Sequence, residues 1–149
     1  MNQDFVALLR ELSAVEARYL IVGAYAVTFH SQPRGTGDLD LWVEPTPENA
    51  TRAFEALRRF GAPLAGLTPD DLQRPQTVFQ IGVPPRRIDV LTSLTALSFD
   101  EAWDSRSEGL FGGLACPFLG REALIRNKLA LGRPRDLADV EMLRSEPSG

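Results

Sequence analysis

The ten residues Arg34-Gly35-Thr36-Gly37-Asp38-Leu39-Asp40-Leu41-Trp42-Val43 constrain this chain more than any other stretch. A Gly-rich turn runs into a short alternating segment, and alternation at period two marks a strand with one buried side. Asp38 and Asp40 emerge on one face of that strand, Leu39 and Leu41 on the other. The apolar side calls for helices packed on it, which leaves two carboxylates side by side at the opposite surface. Like charges that close repel, and burying them is costly unless something neutralises them. A hard divalent cation such as Mg²⁺ does so, taking one or two carboxylates together with substrate phosphates. A polar strand face in water carries the same Asp-x-Asp pattern, so the surroundings have to decide.

At 149 residues, with 44% apolar and 24% charged residues, the chain suits one domain with a substantial core. The expected organisation is a single minimal domain over residues 1–145 and a disordered tail at 146–149. A net charge of −4 argues against a broadly basic, nucleic-acid-coating surface. Cys116 is the only cysteine, which excludes an intramolecular disulfide and a Cys-based zinc site. With His30 the only histidine, any metal has to be held mainly by carboxylates. No basic start leads into an apolar run and nothing approaches membrane-span length, so the expected location is the cytoplasm, away from the membrane.

In chain order, Phe5, Leu8, Leu9, Leu12 and Val15 recur at helical spacing and predict a helix from about Gln3 to Arg18. Tyr19-Leu20-Ile21-Val22 reads as a buried strand that passes through Gly23 into a helix beginning at Ala24. A strand–Gly–helix junction gathers free backbone N–H groups and the positive end of a helix dipole, which suits a phosphate, although many such junctions are only tight turns. Thr46 and Pro47 open a further helix that Gly61 closes. Thr77–Ile81 and Arg87–Leu91 predict a hairpin, Leu97–Arg106 helical turns, and Gly112-Gly113 a second hairpin. Cys116 is expected to be a small buried hydrophobe. His30 sits where a helix C-terminus favours its cationic form.

Asp89 interrupts the apolar run Ile88-Asp89-Val90-Leu91, with Arg87 its same-face neighbour along the strand. A surface-facing Asp89 paired with Arg87 is one reading. Set beside Asp38 and Asp40 on a neighbouring strand, it completes three carboxylates, the ligand count that holds two Mg²⁺ ions for an in-line phosphoryl displacement.

The order Gly23-Ala24, then Asp38-Leu39-Asp40, then Asp89 resembles the nucleotidyltransferase superfamily with the polymerase-beta-type fold. The Arg-x-Thr-x-Asp-Leu-Asp form and Lys128…Arg133-Pro134-Arg135-Asp136…Asp139 are similar to small nucleotidyltransferases that include the toxins of abortive-infection type IV toxin–antitoxin systems. The resemblance covers about residues 19–43, 86–91 and 120–143. It implies an α/β (α+β) domain, a mixed twisted sheet flanked by helices. It also implies transfer of a nucleoside monophosphate from an NTP to a hydroxyl, with two Mg²⁺ ions. Asp38 and Asp40 would hold both metals, and Asp89 would bind the catalytic one and help activate the hydroxyl. Gly23 and Ala24 would cradle phosphates, Arg34 and Thr36 would brace the loop or the triphosphate, and Lys128, with Asp136 nearby, would serve the nucleotide.

Lys128 stands out independently, because it is the only lysine among 16 basic residues. A site that needs a compact ammonium explains this, and so does chance in an arginine-biased chain. Asp136 and Asp139 equally suit a helix start, with Arg133 and Arg135 as their partners. The family pattern has Ser or Gly where this chain has Ala24, so that hydroxyl is missing while the backbone N–H remains. The acceptor is left open among tRNA, a protein and a small molecule. A small-molecule acceptor would call for a helical substrate region that a homodimer could supply. A non-catalytic nucleotide- or partner-binding module, one half of a toxin with its cognate antitoxin, is the alternative.

Overall fold

The computed structural model describes residues 2–32 and 37–145. The N-terminal apolar stripe forms α1 (Gln3–Ala14), capped by the Asn2 side chain, which accepts from the N–H groups of Asp4 and Phe5. The apolar run Tyr19–Val22 is β1, buried along its whole length, and α2 (Gly23–His30) follows without an intervening loop. Then come β2 (Leu39–Val43) and α3 (Pro47–Phe60), the latter opened by Thr46 and closed by Gly61 at φ 93°. A short 3₁₀ turn at Pro69–Gln73 leads to the hairpin of β3 (Val78–Ile81) and β4 (Ile88–Leu91). The rest is α4 (Phe99–Asp104), the hairpin β5 (Ser107–Phe111) and β6 (Leu114–Phe118), then α5 (Arg121–Leu131) and α6 (Pro134–Ser145).

The strands form one mixed sheet in the order β3-β4-β2-β1-β6-β5. The pairs β1–β2, β3–β4 and β5–β6 are antiparallel, whereas β2–β4 and β1–β6 are parallel. Alternation along the strands divides the core in two. Ile21, Leu39 and Leu41 pack with the apolar faces of α1 and α3, while Leu20, Val22 and Trp42 pack with α2, α4, α5 and α6. Asp40 shares the parity of Trp42, so it opens toward the α2/α5/α6 side. Among the described residues no helix is long and apolar enough to cross a membrane.

Three local expectations are corrected. The first helix stops at Ala14 rather than near Arg18, because Glu16 turns left-handed at φ 58° and the Ala17 N–H bonds back to Leu12. That is a Schellman-type ending made without glycine. Helix α4 begins only at Phe99, where Ser98 and Glu101 form a capping box; before it, Leu94 bridges Leu97 around Ala96 at φ 71°. The cationic form of His30 is not favoured. The ring is half-buried with Nε2 2.7 Å from the Leu119 carbonyl oxygen, and burial pushes its pKa down despite the helix C-terminus. Arg34 and Thr36, and the tail at 146–149, lie outside the described residues.

Candidate active site

The site begins where β1 meets α2. Gly23 turns the chain at φ 67°, a conformation glycine adopts without steric cost. A Cβ on Gly23 would lie 2.2 Å from Asp40 Oδ2 and 3.1 Å from Asp40 Cγ. Glycine is therefore required twice over, by the backbone angle and by the carboxylate pressed against its Cα. The register explains that approach, since Val22 is the antiparallel partner of Asp40.

Across the other edge of β2, Asp40 is paired directly with Asp89 in the parallel ladder. Paired residues in a parallel ladder project to the same face, so the two side chains stand next to each other. Asp40 is pushed up to about 7, first by burial and then by the adjacent charges of Asp89 and Asp38. Asp89 is buried, at 8% exposure. Asp38 lies two residues outward on the same face. Its Oδ1 accepts from the Arg87 backbone N–H at 3.0 Å. The Arg87 guanidinium reaches both outer carboxylates, Asp89 at 2.8 Å and Asp38 at 3.5 Å. Among the described residues no three His, Cys, Asp or Glu side chains are gathered as a metal-ligand set. The Asp40–Asp89 pair nevertheless fits a hard cation: it supplies only oxygen donors, Asp40 stays pushed up by Asp89 even with Arg87 alongside, and Asp89 Oδ1 is covered without a well-aligned hydrogen bond.

Asp40, Gly23 and Ala24 form one wall of a cleft of about 360 Å³. The facing wall comes from the α5–α6 junction, with Lys128, Arg133 and Arg135 presenting cations toward it. Lys128 is held by two carboxylates, Asp139 at 3.3 Å and Asp136 at 3.5 Å. Asp136 itself is fully buried and is not part of the cleft wall. It caps the start of α6, accepting the Arg133 backbone N–H at 3.2 Å and pairing with the Arg133 side chain. In this structure, then, Asp136 positions Lys128 and Arg133 rather than facing the cleft.

That arrangement carries a prediction. The Arg133 side chain, helped by its N–H and by Lys128, pulls Asp136 down to about 2. A depressed carboxylate stabilises the fold above its unfolded pKa of 3.8, and the contribution is lost as pH falls through about 2. Asp136→Asn should cost about 3 kcal/mol at pH 7, because it leaves part of a buried ion pair uncompensated. In urea titrations the gap from wild type should narrow below pH 3.8. A gap that does not depend on pH would show that packing, not charge, is what Asp136 supplies.

Two residues, one in the cleft and one in a neighbouring groove, carried no signal in the sequence. Asn127 is buried and donates to the Thr95 carbonyl at 3.0 Å, which ties α5 to the turn before α4. Tyr25, one residue past Ala24, faces a second groove of about 630 Å³ together with Phe5, Gly37, Pro85 and Arg86. Its ring is fixed by edge-to-face contacts with Phe5 and Phe111. Gly37 precedes Asp38, so β2 leads from this groove, past Asp38, to the cleft at Asp40.

No family model matches the sequence, and no curated protein matches it. Solved structures do. A lincosamide antibiotic adenylyltransferase with lincomycin bound superposes with a TM-score of 0.60 at 14% identity, over 97% of both chains. A putative nucleotidyltransferase from Thermotoga maritima gives 0.58 at 13% identity, over 97% of this chain and 92% of that one. An antigenic nucleotidyltransferase-like protein from Paracoccidioides brasiliensis gives 0.50 at 16% identity, over 94% and 72%. The mixed sheet with its flanking helices, the Gly23 turn and the aspartates of β2 and β4 thus belong to a chain with the nucleotidyltransferase-type fold.

Proposed function

We propose that this protein transfers a nucleoside monophosphate from an NTP to an acceptor hydroxyl and releases pyrophosphate. One observation carries the reading: Asp40, whose ladder partner is Asp89, lines a single cleft together with Gly23, Ala24 and the cations Lys128, Arg133 and Arg135. Mg²⁺ held by Asp40 and Asp89, with Asp38 when Arg87 releases it, would neutralise the phosphates and polarise the α-phosphorus. The chain's own groups do the rest. Backbone N–H groups at Gly23 and Ala24 receive phosphate oxygens, and Lys128 offsets charge as it builds on the pyrophosphate. The acceptor oxygen forms its bond to the α-phosphorus as the bond to the leaving pyrophosphate breaks, and its proton passes to Asp89. An in-line displacement needs the acceptor opposite the leaving group, and we assign the acceptor to the groove lined by Tyr25, Gly37 and Arg86.

The likeness to a lincosamide adenylyltransferase across nearly the whole of both chains favours a small-molecule acceptor. A second copy of the chain that supplies the helical region such an acceptor calls for is part of the same proposal. A toxin role acting on tRNA or a protein rests on the sequence resemblance alone. Nucleotide binding without transfer is favoured by one residue, Ala24, where a hydroxyl is missing.

The test is incubation with α-labelled NTPs, Mg²⁺ and a panel of hydroxylated antibiotics, tRNAs and proteins. Label on a small molecule, with pyrophosphate released in equal amount, is the expected result. Lys128→Ala should raise KM for the NTP about tenfold, and Lys128→Arg should restore charge but not geometry. Label on tRNA or protein moves the acceptor class; tight NTP binding with no transfer to any acceptor leaves the binding module.

A further inference from the structure

Arg87 sits over the carboxylates of the candidate site. It immediately precedes β4, two residues before Asp89, and its backbone N–H is fixed by Asp38 Oδ1 at 3.0 Å. Its guanidinium then turns over the carboxylates. Nε lies 2.8 Å from Asp89 Oδ1, and Nη2 lies 3.2 Å from Asp89 Oδ2 and 3.5 Å from Asp38 Oδ2. One monovalent group thereby spans the two outer aspartates of the cluster. The contact is close but badly aligned, since neither Nε nor Asp89 Oδ1, both fully covered, makes a hydrogen bond of good geometry. Only the Nη2–Asp89 Oδ2 contact is an aligned hydrogen bond, so the pair holds charge with one directional bond where a bidentate guanidinium–carboxylate fork would have two. The side chain keeps 29% exposure, so it has a way out to solvent.

From this geometry we propose that Arg87 is a built-in counter-cation. It occupies the outer carboxylates when no metal is bound and has to give them up before a divalent ion is held there. The inference rests on the metal-dependent reading given above. One guanidinium cannot balance three carboxylates, and the Asp40–Asp89 pair remains repulsive even with Arg87 in place. A divalent ion accompanied by nucleotide phosphates brings enough charge and enough oxygen ligands to replace it. A metal ion alone gains less, because it must first break the bridge from Asp38 to Asp89. The free protein therefore binds divalent ions weakly, and metal and nucleotide enter together. Arg87 acts through the aspartates, which makes it a positioning residue.

The experiment is a Mn²⁺ titration without nucleotide, with free Mn²⁺ followed by electron paramagnetic resonance. Four proteins are compared with wild type: Arg87→Gln, Arg87→Lys, Arg86→Gln and the double variant Asp40→Asn/Arg87→Gln. Arg86 is the exposed neighbour, so Arg86→Gln reports the effect of removing one nearby charge. The expected result is Mn²⁺ affinity about tenfold tighter in Arg87→Gln than in wild type, and at least about fivefold tighter than in Arg86→Gln. Arg87→Lys should also bind more tightly than wild type, because an ammonium keeps the charge but cannot span both carboxylates. Affinity in Arg87→Gln closer than that to Arg86→Gln, or wild-type affinity in Arg87→Lys, overturns the proposal. The double variant separates the two claims. If removing Asp40 abolishes binding while Arg87→Gln changes nothing, only the role of Arg87 fails; if tight binding survives in the double variant, the ion sits elsewhere and the metal site fails as well.

Discussion

Asp40→Asn should abolish nucleotidyl transfer while making the metal-free protein more stable above neutral pH. The two effects share one cause. In the folded chain Asp40 titrates near 7, against 3.8 as its ordinary value, because it is buried beside Asp89 and Asp38. Between those two pH values the unfolded chain has released a proton that the folded chain keeps. Folding stability therefore falls as pH rises through this window, at up to about 1.4 kcal/mol per unit. Asparagine stays neutral at every pH and keeps the side-chain shape. At pH 8 the variant should be more stable than metal-free wild type by about 2–4 kcal/mol, with the advantage gone near pH 4. Urea unfolding at the two pH values measures this directly. Mg²⁺ added together with a non-hydrolysable NTP analogue should raise the stability of wild type and leave the variant unmoved. A variant less stable than wild type at pH 8 would show that the carboxylate repulsion is already relieved in solution.

Gly23→Val should have the other large effect, and it should fall on binding more than on folding. Valine at φ 67° is strained, at about 1–2 kcal/mol for the left-handed backbone and more for a β-branched side chain. Its Cβ would also meet Asp40 Oδ2 at 2.2 Å. The carboxylate can rotate away, which limits the stability loss to about 3 kcal/mol. Rotation, however, takes Asp40 out of line with Asp89 and narrows the approach to the cleft floor. NTP affinity in Mg²⁺ should drop by more than about a hundredfold in folded Gly23→Val. Ala24→Ser, which restores a hydroxyl on the same cleft wall, should be neutral or tighten binding by at most about 1.5 kcal/mol. Calorimetric titration of both variants compares them. Unchanged affinity in a folded Gly23→Val protein would place the phosphates away from this turn.

Much of this was legible in the residues because it rests on short periodicities. Alternation at Leu39-Asp40-Leu41 separated the carboxylates from Leu39 and Leu41 as the structure does, but the carboxylate face is not left at an open surface, because Trp42 shares it and packs in a second core under the helices. Gly61 and Gly112-Gly113 ended α3 and turned the last hairpin as glycine chemistry dictates. What stayed hidden depends on partners distant in sequence. Nothing local says that β2 lies between β1 and β4, yet that order alone brings Asp40 against both Gly23 and Asp89. The stop at Glu16 was invisible because a non-glycine residue takes the left-handed position, held there by the Ala17–Leu12 bond. His30 was misread for a related reason. Its helix end is local, but the burial and the Leu119 carbonyl that set its pKa come from the far end of β6. Lys128 was conspicuous as the lone lysine, while the two aspartates that hold it, and the full burial of Asp136, emerge only once α5 and α6 pack together.

The central claim is that one cleft binds a metal–nucleotide complex between the β2–β4 carboxylates and Lys128. Calorimetric titration with non-hydrolysable NTP analogues, each run in Mg²⁺ and again in EDTA, tests it most directly. The account predicts binding of at least one analogue that requires Mg²⁺, is lost in Asp40→Asn and is weakened about tenfold in Lys128→Ala. Binding that is indifferent to both the metal and Asp40, or no binding of any analogue, would contradict it.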